Sequence, residues 1–157
     1  MKRVLRWISK AAVLAIHERL LADHGGAAGL RDEGLLDSAL ARPRNHAAYG
    51  RADVARLAAA YAAAITRNHP FVDGNKRVAL TIAGVFMELN GLRLNALEHD
   101  AARATWALSA RQIDERQFAS WLRSCSTPTT LRRVRAASPA AAKTRIRKVA
   151  RRKKRGK

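Results

Sequence analysis

The feature that most constrains the fold is the spacing of the apolar residues, which recur every three or four positions through most of residues 1–125. Apolar residues at that spacing line one face of an α-helix, whereas a half-buried β-strand alternates at every second position. Leu57, Tyr61 and Ile65, for example, repeat every four residues. Strand patterns are almost absent, so the sequence predicts an all-α fold.

Capping and stop residues divide this part of the chain into a compact bundle of about six helices. The expected helices are Ser9 to Leu21 with a stop at Gly25-Gly26, Asp32 to Leu40, Asp53 to Asn68, Asn75 to Leu89 with a stop at Asn90-Gly91, Glu98 to Ser109, and Asp114 to Ser124. The second helix should end before Pro43, because proline disfavours helical geometry at the residue preceding it. Residues 43–50 are therefore expected to form a loop.

The positive charge is concentrated at the C-terminal end. The chain holds 31 Lys and Arg against 12 Asp and Glu, a net charge of +19, and residues 126–157 carry 13 of these basic residues and no acidic one. This segment has few large apolar groups, so the sequence predicts a helical domain at 1–125 and a disordered tail at 126–157. The tail could be a solvated extension or could contact nucleic acid nonspecifically, because no base-reading motif accompanies its charge.

The composition also indicates the cellular compartment to expect. Cys125 is alone, so no disulfide can form within the chain. No apolar run approaches the roughly 20 residues that cross a bilayer. The apolar stretch near the N-terminus is interrupted at residues 17–19 and lacks a cleavage site for a signal peptide. We therefore expect a protein of the reducing cytoplasm without a membrane segment.

The strongest chemical signal is the segment His69–Arg77, which reads His-Pro-Phe-Val-Asp-Gly-Asn-Lys-Arg between the third and fourth expected helices. Pro70 keeps the preceding residue out of helical geometry, and Gly74 permits a tight turn with close approach of a ligand. Asn75 is a good helix cap. The amides of residues 76–78 should then point outward from the positive end of a helix, which predicts an anion site.

The side chains of the segment suit a phosphate group. Lys76 and Arg77 oppose the helix dipole by roughly 0.3–1 kcal/mol each, which indicates that an anion is expected there. Asp73 could hold a Mg²⁺ that shares the phosphate oxygens. His69 is the side chain best suited to accept a proton near neutral pH. Phe71 is expected to pack into the core and fix the loop.

This pattern, His-x-Phe-x-Asp-Gly-Asn-Lys-Arg, resembles the signature loop of the Fic/Doc superfamily in its Doc (death-on-curing) form. Seven residue types are specified over nine positions. The expected helices before and after the loop agree with the all-helical layout of that superfamily, with a flap expected at residues 43–50. The resemblance covers residues 5–124 and does not include the basic tail.

The resemblance implies a role for each position of the loop. His69 would act as the base on a protein hydroxyl, and Asp73 would bind Mg²⁺. The phosphates of ATP would be held by the adjacent backbone and by Gly74, Asn75, Lys76 and Arg77. Members that transfer AMP typically have Gly at position 76, so Lys76 implies transfer of the γ-phosphoryl group instead.

The resemblance further implies the toxin of a type II toxin–antitoxin system. Such a protein is a Doc-type protein kinase that modifies a threonine of elongation factor Tu and arrests translation. Autoinhibited Fic proteins carry a Ser/Thr-x-x-x-Glu-Gly/Asn helix, and this string does not occur in the sequence. Restraint is therefore expected from a cognate antitoxin protein.

Three other interpretations stay open on the sequence alone. The first is an AMP transferase with an atypical loop, and the second is a catalytically inactive protein that binds nucleic acid through its tail. The third is an all-helical metal phosphohydrolase with the ligands His69, His99, Asp100 and Asp114. Elsewhere, His17 is expected to lie on a packed helix face, and Cys125 is expected to be inert.

Overall fold

A computed structural model of the chain describes residues 4–50 and 53–129. Within these ranges it contains six α-helices and one two-stranded antiparallel sheet, which confirms the expected all-α bundle. In chain order the elements are α1 Lys10–His24, α2 Glu33–Tyr49, α3 Val54–Asn68, α4 Asn75–Leu89, β1 Leu92–Leu94, α5 Glu98–Ser109, α6 Glu115–Ser124 and β2 Ser126–Pro128. The expected disorder of the tail falls on residues 130–157, which lie outside the described residues.

Four helices begin where the capping residues predict. Side-chain oxygens of four N-cap residues accept the backbone N–H three positions further on, at Ser9, Asp32, Asp53 and Asp114. At α6 the side chain of Gln117 also returns a bond to the backbone N–H of Asp114, which completes a capping box. These local bonds satisfy N–H groups that the helix itself leaves free.

The expected end of α2 before Pro43 is wrong, because the helix continues through the proline to Tyr49. The residues expected to form a loop and flap, 43–50, are therefore the last turns of α2 and its C-cap, Gly50. A proline inside a helix removes one backbone bond and costs about 3 kcal/mol. Pro43 is buried, and tertiary contacts hold α2 on both sides of it. Glu115 of α6 contacts Arg42 before the proline and His46 after it, and Ala47 packs on the core. These contacts offset the local cost.

Helix α3 forms the centre of the bundle and packs against α2, α4, α5 and α6. It is buried from Ala55 to Thr66 except at Arg56, and seven of those buried residues are alanine. Small side chains let several helices approach one axis closely, while Tyr61 supplies a large aromatic group against Phe86 of α4. The packing of α3 thereby places its C-terminal end where the segment His69–Arg77 begins.

The small sheet joins the two ends of the C-terminal half. β1 and β2 pair in antiparallel register, with Leu92 opposite Pro128 and Leu94 opposite Ser126. Three-residue strands are too short to show an alternating pattern, so the sequence contains no signal for them. Residues 126–128, which were expected to belong to the tail, thus pair with the helical domain. No helix in the described ranges combines the length and apolar character that a bilayer crossing needs.

Candidate active site

The loop between α3 and α4 starts with a strained residue. His69 caps the C-terminus of α3 in the left-handed conformation, with φ 48° and ψ 56°, and its N–H donates to the carbonyl oxygen of Ile65 at 3.1 Å. The prediction that Pro70 keeps His69 out of right-handed helical geometry is confirmed. Non-glycine residues are uncommon in this region and carry a cost where they occur. The fold therefore directs the His69 backbone away from the helix.

The sequence suggested that Asn75 caps α4, but this is wrong. The Asn75 side chain instead binds the backbone of the loop at Phe71. Its Oδ1 accepts the N–H of Phe71 at 3.0 Å, and its Nδ2 donates to the carbonyl oxygen of Phe71 at 2.9 Å. Both Asn75 and Phe71 are buried. The N-cap is instead Gly74, at φ 80° and ψ 9°, and no side chain caps this end of the helix. A phosphate contact of Asn75 stays a prediction, and because its side chain binds the Phe71 backbone, that contact would come from the Asn75 backbone N–H.

The shift of the cap by one residue moves the predicted anion site by one residue. The N–H of Val78 donates to the carbonyl oxygen of Gly74 at 2.9 Å, so it is part of the helix. The amides at the first three helical positions are those of residues 75–77, where residues 76–78 were expected. They lie at the positive end of α4, and backbone N–H groups in this position bind phosphate oxygens.

The charged side chains of the loop are exposed around this helix end. Lys76 and Arg77 stand in the first turn of α4, and Asp73 and His69 precede it. The guanidinium of Arg77 donates through Nη1 to the carbonyl oxygen of Gly25 at 3.1 Å, which leaves its other N–H donors for a ligand. The four exposed side chains that the sequence assigned to catalysis therefore belong to one loop and helix end.

Two backbone N–H groups stabilise the ionised form of the Asp73 carboxylate. Its Oδ1 accepts the N–H of Gly74 at 2.6 Å, and its Oδ2 accepts the N–H of Ala27 at 3.2 Å. These two bonds, with the nearby charge of Arg77, hold the pKa of Asp73 below its usual value. The described residues contain no group of three or more metal-ligating side chains. One ionised carboxylate beside a phosphate site nevertheless fits Mg²⁺, which usually takes one or two protein carboxylates and completes its shell with phosphate and water.

The His69 ring is contacted by the same buried amide. Nδ2 of Asn75 lies 3.2 Å from Nδ1 of His69. The bonds to the Phe71 backbone fix which end of the amide is NH₂, so this contact presents a donor to the ring. Nδ1 is then an acceptor, and the neutral ring carries its proton on Nε2. Asn75 thus links the fold of the loop to the protonation pattern of His69.

His17 of α1 contacts the loop through its buried ring. It is 4% exposed, its ring stacks on Phe71 at 4.0 Å between centroids, and its Nε2 donates to the carbonyl oxygen of Asp73 at 2.9 Å. The predictions that His17 lies on a packed face and that Phe71 anchors the loop are both confirmed. The bond to Asp73 was not foreseen, because 56 residues separate the two in the chain.

An extended segment, residues 25–31, lies along the loop where the sequence placed only a helix stop. The N–H of Val72 donates to the carbonyl oxygen of Gly29 at 3.0 Å, and Leu30 forms a β-bridge with Phe71. Its three glycines have φ between 75° and 125°, a region that favours glycine. A Cβ at Gly26 would lie 2.7 Å from Oδ2 of Asp73. The glycines are the signal that could have located this segment.

The residues proposed for a metal phosphohydrolase do not come together. His99 and Asp100 contact each other at 3.3 Å on the exposed side of α5, and Asp114 caps α6. No metal-ligating cluster forms around them in residues 4–50 and 53–129. That interpretation is therefore wrong. Cys125 is half-buried, and its Sγ lies 3.7 Å from the hydroxyl oxygen of Ser124.

An all-helical bundle that carries this loop between two central helices is the arrangement of one known group of proteins. The family model for the Fic/DOC family matches residues 7–87, which is about half of the chain, and the chain belongs to that family. It is a Doc-type member. It is 46% identical over 83 residues to Toxin Doc of Mycolicibacterium smegmatis, a match that covers 51% of this chain and 62% of that protein. It is 33% identical over 91 residues to Protein kinase doc of Escherichia phage P1, covering 57% of this chain and 72% of that protein.

Proposed function

We propose that the protein is the toxin of a type II toxin–antitoxin system and acts as a protein kinase. In this proposal it transfers the γ-phosphoryl group of ATP, with Mg²⁺, to a hydroxyl group of a protein and so arrests translation. The resemblance of the loop to Doc proteins suggests a threonine of elongation factor Tu as the acceptor and a separate antitoxin as the restraint. The name of one relative, Toxin Doc, supports the toxin role, and the name of the other, Protein kinase doc, supports the kinase activity.

One observation carries the proposal: the uncapped N-terminus of α4 lies in the same loop as an ionised carboxylate and an exposed histidine. Two cations, Lys76 and Arg77, stand in the first turn, where the helix dipole disfavours them. An anionic ligand removes this conflict, because it is attracted both by the backbone amides and by the side chains. A polyphosphate with a bound cation suits that combination of charges.

Each loop residue has a distinct task in the proposed transfer. The amides of residues 75–77 and the guanidinium of Arg77 bind phosphate oxygens, and Lys76 adds a charge beside them. Asp73 would hold Mg²⁺, which neutralises the charge that develops on the phosphates. Phosphoryl transfer needs little covalent chemistry from the protein, so positioning and charge stabilisation supply most of the rate.

His69 would take the proton of the acceptor hydroxyl. With Asn75 donating to Nδ1, the favoured neutral ring has its proton on Nε2. Accepting a proton at Nε2 requires the other tautomer, which gives up that one long contact. Losing such a contact costs about 1 kcal/mol, so about one ring in six would be ready to act as a base. This cost is small beside the barrier that enzymes lower.

The choice between phosphoryl and AMP transfer depends on Lys76. Lys76 places an exposed cation in the first turn of α4, at the position where AMP-transferring members typically have glycine. A translation extract supplied with ATP labelled at either the γ- or the α-phosphate distinguishes the two activities. Protein labelling from the γ-phosphate alone is expected. Labelling from the α-phosphate would replace the kinase with an AMP transferase, and no labelling would favour an inactive protein that acts through its tail.

Two substitutions and a matched control connect the labelling to the loop. His69→Ala should abolish labelling if this residue is the base, and Asp73→Asn should remove the dependence of ATP binding on Mg²⁺. His99→Ala is the control, because His99 is an exposed histidine of α5 that contacts only its neighbour Asp100 among the ion pairs of the described chain. Full labelling by the His69 variant would remove that residue from the proposed mechanism.

A further inference from the structure

One cation beside the loop has no task in the proposed transfer, although it contacts the His69 backbone directly. Arg31, from the extended segment 25–31, donates through Nε to the carbonyl oxygen of His69 at 2.7 Å and through Nη2 to that of Asn68 at 2.8 Å. Its backbone N–H donates to the carbonyl oxygen of Pro70 at 2.7 Å. One residue therefore holds three successive carbonyl groups at the start of the loop.

These carbonyls need such a partner. The last carbonyl groups of an α-helix find no N–H donor within the helix, and α3 ends at Asn68. The left-handed turn at His69 then points the next carbonyl out of the helix direction. Because the guanidinium is planar and carries its donors in a fixed fork, it can bind two adjacent carbonyl oxygens at once. Its charge is also favourable at the negative end of α3.

The backbone geometry at His69 decides where its ring points. The residues on either side cannot replace the guanidinium as a partner of the His69 carbonyl. Pro70 has no N–H to donate, and the Nδ2 of Asn68 already donates to the carbonyl oxygen of Leu35 at 3.0 Å. Rotation of the carbonyl of His69 would therefore rotate its Cα–Cβ bond with respect to the amides of α4. The guanidinium contacts hold that carbonyl in one direction.

We infer that Arg31 is a positioning residue for His69, in an inference that rests on the proposed phosphotransfer. It fixes the strained backbone of His69 so that the ring faces the acceptor hydroxyl beside the phosphate site. Arg31 acts through His69 and needs no contact with ATP. Its removal should therefore slow the chemical step and leave the binding of ATP nearly unchanged.

The test compares Arg31→Met and Arg31→Lys with Arg93→Met as the control. Arg93 is an exposed arginine of β1 that pairs with Glu88, beyond the opposite end of α4 from the loop. We expect kcat to fall by about ten- to a hundredfold in Arg31→Met, since misplacement of a reacting group by about 1 Å can have that effect. The KM for ATP should stay within about twofold. Arg31→Lys keeps the charge without the fork and should lose most of the same rate.

Chemical rescue separates positioning from a general loss of structure. Guanidinium at millimolar concentration, far below denaturing levels, should restore part of the kcat of Arg31→Met and leave the wild type and Arg93→Met unaffected. Wild-type kcat in either Arg31 variant, or a matching rise in the KM for ATP, would overturn the inference. If Arg31→Met does not fold, Arg31→Lys carries the same comparison.

A readout that needs no catalysis keeps this inference distinct from the proposed function. The backbone and ring NMR resonances of His69 should shift in both Arg31 variants and not in Arg93→Met. If the wild type transfers no phosphoryl group, the proposed function fails and a shift would still show that Arg31 sets the His69 geometry. If the wild type is active and the His69 resonances do not move, the positioning role is wrong.

Discussion

Asn75 and Asn90 stand at the two ends of α4 and make the same kind of contact. Asn75 binds both the N–H and the carbonyl oxygen of Phe71, whereas Asn90 binds both groups of Arg6, at 2.9 Å each, and also the carbonyl oxygen of Phe86. Both amides are buried, at 4% and 2% exposure. Each side-chain amide binds backbone groups of a segment that is neither helix nor strand, and so replaces the hydrogen bonds of regular structure.

Replacing either asparagine by alanine should destabilise the fold by a similar amount. Asn75→Ala leaves a buried N–H and a buried carbonyl group without partners, and each such group costs about 1 to 3 kcal/mol. Taking about 1 to 2 kcal/mol for each of the two groups, the lower part of that range, we expect a loss of about 2 to 4 kcal/mol. In a domain of this size that corresponds to a fall in Tm of about 8 to 16 °C. Asn90→Ala should lose about 1 to 3 kcal/mol, because its bonds to Arg6 are only partly buried.

The activities of the two variants should differ although their stabilities are alike. Only Asn75 also contacts the ring of His69, so phosphoryl transfer should fall in Asn75→Ala and persist in Asn90→Ala below its melting temperature. Urea and thermal unfolding followed by circular dichroism give the stabilities, and Asn95→Ala is the exposed control, expected within about 0.5 kcal/mol of the wild type. A stability loss below about 1 kcal/mol for Asn75→Ala would refute the reasoning, as would equal losses of activity in the Asn75 and Asn90 variants.

Three further outcomes follow from the contacts around the loop. Gly26→Ala places a Cβ 2.7 Å from Asp73 and should lower Tm more than Gly25→Ala, where φ is also positive but nothing lies within 4 Å; equal shifts in thermal unfolding would contradict this. His17→Phe keeps an aromatic ring against Phe71 and removes the donor to the Asp73 carbonyl, so urea unfolding should show a loss of about 1 to 2 kcal/mol. Because the folded pKa of Asp73 is lowered, its ionised form stabilises the fold above the unfolded pKa of about 4. The stability difference between the wild type and Asp73→Asn should thus stay constant from pH 8 to pH 5 and shrink as the pH falls below about 4.

The helices could be predicted because their determinants are local. Asp53 and Asp114 cap the helices that follow them, and the four-residue spacing of Leu57, Tyr61 and Ile65 identifies the buried face of α3. Pro43 shows where local rules fail. The proline predicts an end to α2, but its burial and the contacts of Glu115 with the next turn depend on a partner more than 70 residues away. A short stretch of sequence contains the proline but not the distant residue whose contacts stabilise the helix.

For the candidate site, the sequence identifies the exposed residues of the loop but not the residues that shape it. The exposed residues of the loop could be named because their chemistry is visible in a side chain, as with His69 and Asp73. The residues that shape the loop could not, because Arg31 and His17 act through backbone carbonyl groups that lie 38 and 56 residues away in the chain. Asn75 was expected to cap α4 because an amide that caps a helix and an amide that binds a neighbouring loop look alike in the sequence.

Burial within the segment His69–Arg77 argues against a loop that only completes the fold. Pro70, Phe71 and Asn75 are buried, and Phe71 contacts both His17 of α1 and Asn75 of α4. Lys76 and Arg77 are exposed, and each opposes the dipole of α4 by roughly 0.3–1 kcal/mol. A loop without a ligand would be more stable with neutral or acidic residues at these two positions. A bound anion would remove this cost, so ATP binding at this helix end is the decisive measurement for the proposed roles of the loop residues.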